Sequence, residues 1–296
     1  MENNIFNNKI VIIIKYSFIS CIMKLSKQRR NTMFKINNFM DNDDVKTIEK
    51  LKGFTVIEYQ RDLSVTPSTA QMAYFSNQMN IKKRQLVCDL SQGDVTIQAG
   101  AMQWMLGDVK ATTGIKGAGD FFKKTIRGSV TGESAIKPEY TGRGLLVLEP
   151  TYKYLILLDV SEWNNFIMLD DGLFLASEST LEHKAVARTN LSSAIAGGQG
   201  LFNLGLKGKG IVAIESICPK EELIEITLEN DVLKVDGNNV IAWSGSLEFT
   251  VERSGKSLIG SAASGEGLVN VYRGTGKVLL APVDNRNPYM PAQPTV

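Results

Sequence analysis

The sequence predicts an all-β protein of repeated antiparallel β-units packed around a common core, with few helices. Three observations predict it. First, a glycine-framed pattern recurs: Gly132 leads to Gly142-Arg-Gly144, Gly198 to Gly208-Lys-Gly210, and Gly265 to Gly274-Thr-Gly276, with an apolar run on each side of every Gly-x-Gly. Second, an earlier block recurs in the same order: apolar runs around Gly100, Asp171-Gly172 and Asp236-Gly237. Third, the two blocks keep step with each other, so the whole unit returns about every 65 to 72 residues, the mark of repeated structural units. Gly-x-Gly and Asp-Gly between apolar runs read as tight turns because both residue types tolerate positive φ. Three related units are expected, at about residues 80–149, 150–215 and 216–281, each a small sheet burying one face on a shared core.

Taken in order, residues 1–52 are expected to lie outside this core, which occupies 53–283. The leader has an apolar run at Ile10–Ile14 that resumes at 18–23, with basic residues only afterwards at Lys24, Lys27, Arg29 and Arg30. It is too short for a membrane span of about 20 residues and has the wrong order for a signal peptide. Any membrane contact is therefore expected through residues 1–30 alone. Asp41, Asp43 and Asp44 precede a short polar helix candidate at 45–52, where the helix dipole favours acids. The β-branched and aromatic run Phe54–Tyr59 is a strand. Residues 69–79 are compatible with a short helix or a long loop. Strands follow at 85–90, 95–98 and 102–106, then at 156–160, 165–169 and 173–176, and again at 224–228, 232–235 and 240–243. Residues 177–184 read as a solvated loop, and 185–196 as the best helix candidate of the body. Residues 284–296, rich in proline, are a tail.

Composition bounds the chemistry. The 296 residues are 43% hydrophobic with a net charge of +2, so the chain can build a core and is no polycation for coating nucleic acid. Cys21, Cys88 and Cys218 are odd in number and far apart, which fits reduced thiols and a cytoplasmic protein rather than a zinc site or disulfide framework. His183 is the one histidine and reads as a solvated residue of a charged loop. The glycine clusters at 114–119, 206–210 and 274–277 lack the P-loop sequence and its strand-to-helix setting. Trp104, Trp163 and Trp243 read as core anchors. Asp43–Asp44, Asp170–Asp171 and Glu221–Glu222 read as solvated turn residues rather than acid–base pairs. No catalytic, metal or cofactor-binding residue is expected. The interaction candidate is Phe121, Phe122, Lys123, Lys124 and Arg127, where aromatics sit beside cations.

The ordered set Gly142-Arg-Gly144, Asp171-Gly172-Leu-Phe-Leu-Ala176, Gly198-Gln-Gly-Leu-Phe202, Gly208-Lys-Gly210, Val240-Ile-Ala-Trp243, Gly265-Glu-Gly-Leu268 and Gly274-Thr-Gly276 resembles the altered inheritance of mitochondria protein 24 family, over about residues 54 to 283. The resemblance implies an all-β fold of repeated units similar to the tryptophan RNA-binding attenuator protein (TRAP-like, of the β-sandwich or double-stranded β-helix type). It implies no catalytic residues. The functional expectation is a non-enzymatic scaffold acting through a protein partner or through self-association. The alternative, by fold analogy, is an RNA- or small-ligand-binding module.

Overall fold

A computed structural model describes residues 34–113, 137–187, 202–236, 238–253 and 268–283. The chain divides into two units, residues 1–39 and 40–296; the described residues of the first, 34–39, hold no helix or strand. The second unit is all-β, as its alternating and continuous apolar runs demand, and it has two antiparallel sheets. Strands are numbered in chain order. The first sheet has nine and runs β1 (Val45–Leu51), β2 (Phe54–Tyr59), β3 (Arg84–Asp89), β6 (Glu139–Leu148), β4 (Val95–Ile97), β9 (Phe174–Glu178), β12 (Ile211–Ser216), β7 (Tyr154–Asp159), with β5 (Met102–Thr112) along the other side of β6. The second has seven and runs β10 (Glu182–Ala187), β11 (Phe202–Lys207), β8 (Phe166–Leu169), β14 (Val240–Ser244), β16 (Leu268–Leu280), β13 (Ile224–Asp236), with β15 (Glu248–Arg253) also on β16. The first sheet curls until its end strands meet: Leu157 N on β7 donates to Glu49 Oε2 on β1 at 3.2 Å.

Strand alternation sorts the side chains into cores. On β7 and β12, Leu155, Leu157, Ile211 and Ala213 fill the inside of the curled first sheet, with Phe54, Leu86, Ile97 and Leu146. Their neighbours Ile156, Val212 and Ile214 point the other way and pack with Ile167, Leu169 and Ile241 of the second sheet and with Trp163 of the short turn between β7 and β8. Two buried faces need continuous apolar strands, which explains Ile-Val-Ala-Ile at 211–214. The far face of the second sheet carries a third cluster, in which the rings of Trp243, Phe249 and Tyr272 lie 5.2–5.5 Å apart. Each fully buried aliphatic side chain here contributes about 1.5–3 kcal/mol.

The fold is not three like sheets. Two of the three Gly-x-Gly segments are not turns: Gly142 and Gly144 lie inside β6, and Gly274 and Gly276 inside β16. Each marks a point where a strand changes neighbours. Before its glycines β6 pairs with β4 (Val95↔Tyr140), and after them with β3 (Asp89↔Leu145), while β5 follows its other side throughout. Likewise β16 pairs with β15 up to Arg273 and with β14 from Val278, with β13 along its other side. At Gly208-Lys-Gly210 the strand breaks, and the chain passes from β11 in one sheet to β12 in the other. Handover bends a strand, and the inside of the bend has no room for a Cβ. At Gly144 one would collide with the Leu106 carbonyl oxygen across the β5–β6 ladder.

The other expected hairpins are also replaced. The strands on either side of Gly100, β4 and β5, do not pair with each other but flank β6; β13 and β14 flank β16 in the same way. Asp171-Gly172 joins β8 to β9, which belong to different sheets. Residues 45–51 form β1 rather than a helix, because Val45, Thr47 and Ile48 favour extended backbone and β2 supplies a partner. Residues 185–187, the start of the expected body helix, are strand β10 paired with β11; the rest of that segment lies outside the described residues. The segment at 69–79 is a helix, α1 (Ala70–Gln78). Trp163 and Trp243 are buried as expected, whereas Trp104 on β5 is half-buried. Among the described residues no helix is long and apolar enough to cross a membrane.

Candidate interaction surface

The expected patch of Phe121, Phe122, Lys123, Lys124 and Arg127 lies outside the described residues. A different surface stands out, on the excursion between β2 and β3. These strands pair directly (Phe54↔Cys88 to Glu58↔Arg84), yet residues 60–83 leave the sheet between them and carry α1. Pro67 and Thr69 lead in, with Thr66 N bonded to Thr69 Oγ1 at 3.1 Å. Asn80 ends the helix in left-handed backbone, with φ 63°. Ile81 N then bonds Ser76 O and Asn80 N bonds Asn77 O, the two bonds of a Schellman cap.

The helix is amphipathic the wrong way round. A helix on a globular surface buries its apolar stripe. Here Ala70, Ala73, Ser76 and Asn77 face the protein, and Asn77 Nδ2 donates to Gln60 O at 2.6 Å. Met72, Tyr74, Phe75 and Met79 face water, 58–75% exposed, flanked by Leu63 (67%) and Ile81 (47%). Met72, Phe75 and Met79 form an i, i+3, i+7 ridge. The Tyr74 and Phe75 rings meet edge-on at 5.4 Å. From Leu63 to Ile81 the chain has no charged residue.

A polar frame holds this apolar surface in place. Arg84, 1% exposed, gives Nη2 to Glu58 Oε2 at 2.7 Å and to Asn80 O at 3.0 Å, and Nη1 to Lys82 O at 3.3 Å. Its guanidinium stacks 4.1 Å from the Tyr154 ring centre. On the other side Asp62 receives Lys83 Nζ at 2.9 Å and the Tyr152 hydroxyl at 2.7 Å. The Lys83 ammonium, more than Tyr152, holds the Asp62 carboxyl below the usual carboxylate range, and Asp62 in turn pushes the Tyr152 phenol up. A pocket of about 400 Å³ opens beneath α1 between Ala73, Asn77, Asp62 and Tyr152. A second, of about 280 Å³, opens beyond Arg84, but Glu58 already faces Arg84, and Glu49 faces Lys220 at 2.6 Å.

His183 is not in a loop. It sits on β10, against the Phe174 ring at 5.2 Å, with Nε2 2.9 Å from Ser177 Oγ. Burial first, and then the Lys137 charge, bring its pKa down to about 4. The distance is that of a nucleophile and its base, but Ser177 is fully buried, so its hydroxyl is closed to a substrate. The pair satisfies polar atoms inside a sheet.

The family model for mitochondrial biogenesis AIM24 matches residues 77–283. The chain belongs to the AIM24 family. An uncharacterised protein from Streptococcus pyogenes serotype M6 is 30% identical over 196 residues, 64% of this chain and 76% of its own length. The crystal structure of a Streptococcus pyogenes structural-genomics protein superposes with a TM-score of 0.52 at 26% identity, covering 70% of this chain and 90% of that one. The AIM24 match takes in both sheets from β3 onward, whereas Leu63 to Ser76, with most of α1, precedes it.

Proposed function

We propose that this AIM24-family protein is a non-enzymatic scaffold that acts by binding protein through the outward face of α1. One observation carries this reading: helix α1 turns small and polar residues inward and Met72, Phe75 and Met79 outward. Exposed apolar residues scattered singly are ordinary, but a contiguous ridge with an uncharged surround marks a binding surface. Methionine and aromatics suit such a surface because they adapt to a partner and bury large areas. The test is size-exclusion chromatography of tagged chain in extract of its native cell. The wild type is expected in a complex above its own mass, and the triple variant Met72→Ser, Phe75→Ser, Met79→Ser at the mass of the free chain. Identical migration of both would remove the reading.

A further inference from the structure

We infer that the occupant of the α1 face is a second copy of this chain, seated across a two-fold axis; this rests on the reading of α1 as a protein-binding face. The area is right. Leu63, Met72, Tyr74, Phe75, Met79 and Ile81 are 47–75% exposed. At roughly 150–250 Å² per large side chain they expose on the order of 700 Å² in all, near the ~800 Å² each partner buries in a standard interface. The charge is right as well. A two-fold contact sets a patch against itself, so a charged patch repels its own copy, whereas this one has no charged residue between Asp62 and Lys82. The nearest charges are matched within the chain: Asp62 with Lys83 at 2.9 Å, Lys82 with Glu58 at 3.4 Å. They leave little to steer a strongly acidic or basic partner. Finally, the ridge is short and its middle residue is Phe75. Two such ridges crossing on a dyad place Phe75 at the centre, beside its own counterpart.

The experiment is sedimentation equilibrium of the purified full chain from low to high micromolar concentration. The wild type is expected to move towards twice its 32.6 kDa. Phe75→Lys alone and Phe75→Glu alone are expected to stay monomeric, with unchanged urea unfolding, and their equimolar mixture to regain the dimer at least tenfold more strongly than either alone. Rescue by opposite charges at one position is specific to a contact in which that position meets itself. Wild-type dimers that persist in both single variants would overturn the proposal. So would a monomeric wild type, which in native extract still runs in a complex if only the choice of partner is wrong, and runs free if α1 binds nothing. Monomers that co-sediment with phosphatidylcholine vesicles would also overturn it, assigning the face to lipid.

Discussion

Replacing Glu58 with Leu tests the frame that holds α1. The substitution leaves the Arg84 guanidinium, 1% exposed, without its carboxylate 2.7 Å away. Breaking one side of a buried ion pair costs about 3–5 kcal/mol. Arg84 keeps three acceptors, Asn80 O, Asn80 Oδ1 and Lys82 O, and its stacking on Tyr154. Those contacts place the expected loss near the lower end, about 3 kcal/mol, or roughly 6–12 °C in Tm for a domain of this size. Arg84→Met should cost less, about 2 kcal/mol, because Glu58 still has Lys82 at 3.4 Å while the carbonyl acceptors lose a donor. In the double variant both charges leave together, and well-packed apolar replacements of a buried pair are close to neutral. Urea unfolding of the four proteins closes the cycle, with an expected coupling of about 5 kcal/mol between the two sites, the two single losses less a double-variant loss near zero. Losses that simply add, or a Glu58→Leu loss below about 1 kcal/mol, would show that the pair is solvated and that α1 is held by something else.

Three further outcomes follow from the structure. Unfolded His183 takes a proton below its ordinary 6.5 but the folded residue only near 4, so between these values the unfolded state holds more protons and stability falls as pH drops; a loss of about 2–3 kcal/mol from pH 7 to pH 4, absent in His183→Gln, is expected in urea titrations at each pH. Gly144→Ala sets a Cβ against the Leu106 backbone and should cost more than about 3 kcal/mol, whereas Gly210→Ala meets side-chain atoms of Glu178, Leu181 and Thr180 that can shift and should cost less; equal chevron midpoints would refute the ranking. The Cys88 thiol is fully buried and its pKa is pushed far up, so a maleimide should label it only at the rate of global unfolding, read by mass spectrometry of the tryptic peptide.

The strands were legible where both faces are buried, because burial on two sides leaves a continuous apolar run such as Ile211–Ile214. The glycines misled for a physical reason. A tight turn and a strand bent at a handover both require positive φ or the absence of a Cβ, so Gly142 in β6 and Gly208 in a connection look alike locally. What separates them is the arrival of β5 along β6, a long-range pairing that no local window contains. His183 misled similarly: its charged neighbours Glu182 and Lys184 suggest a loop, yet strand alternation turns the imidazole inward between them. The ridge at Met72, Phe75 and Met79 has helical spacing, but over nine residues it did not separate a short helix from a long loop, and the structure has the helix. Spacing does not say which way a face points. The signal that would have told is on the opposite side, where Ala73, Ser76 and Asn77 are too small and polar to make a core, together with the uncharged run around them.

That opposite side also argues that the ridge is not there for folding. Met79 is 75% exposed, so it keeps only about a quarter of the 1.5–3 kcal/mol its full burial would contribute, about 0.5 kcal/mol. Phe75, 58% exposed, keeps about 1 kcal/mol by the same reckoning. Serine at either position should therefore shift the urea midpoint little, while Leu146→Ala inside the first sheet, with its side chain fully buried, should cost about 2–5 kcal/mol. The α1 excursion thus divides its labour by face: Asn77, Asn80 and the Arg84–Glu58 pair hold the helix to the sheet, and the ridge contributes almost nothing to stability. Large apolar side chains that do so little for the fold are placed to be buried by something else.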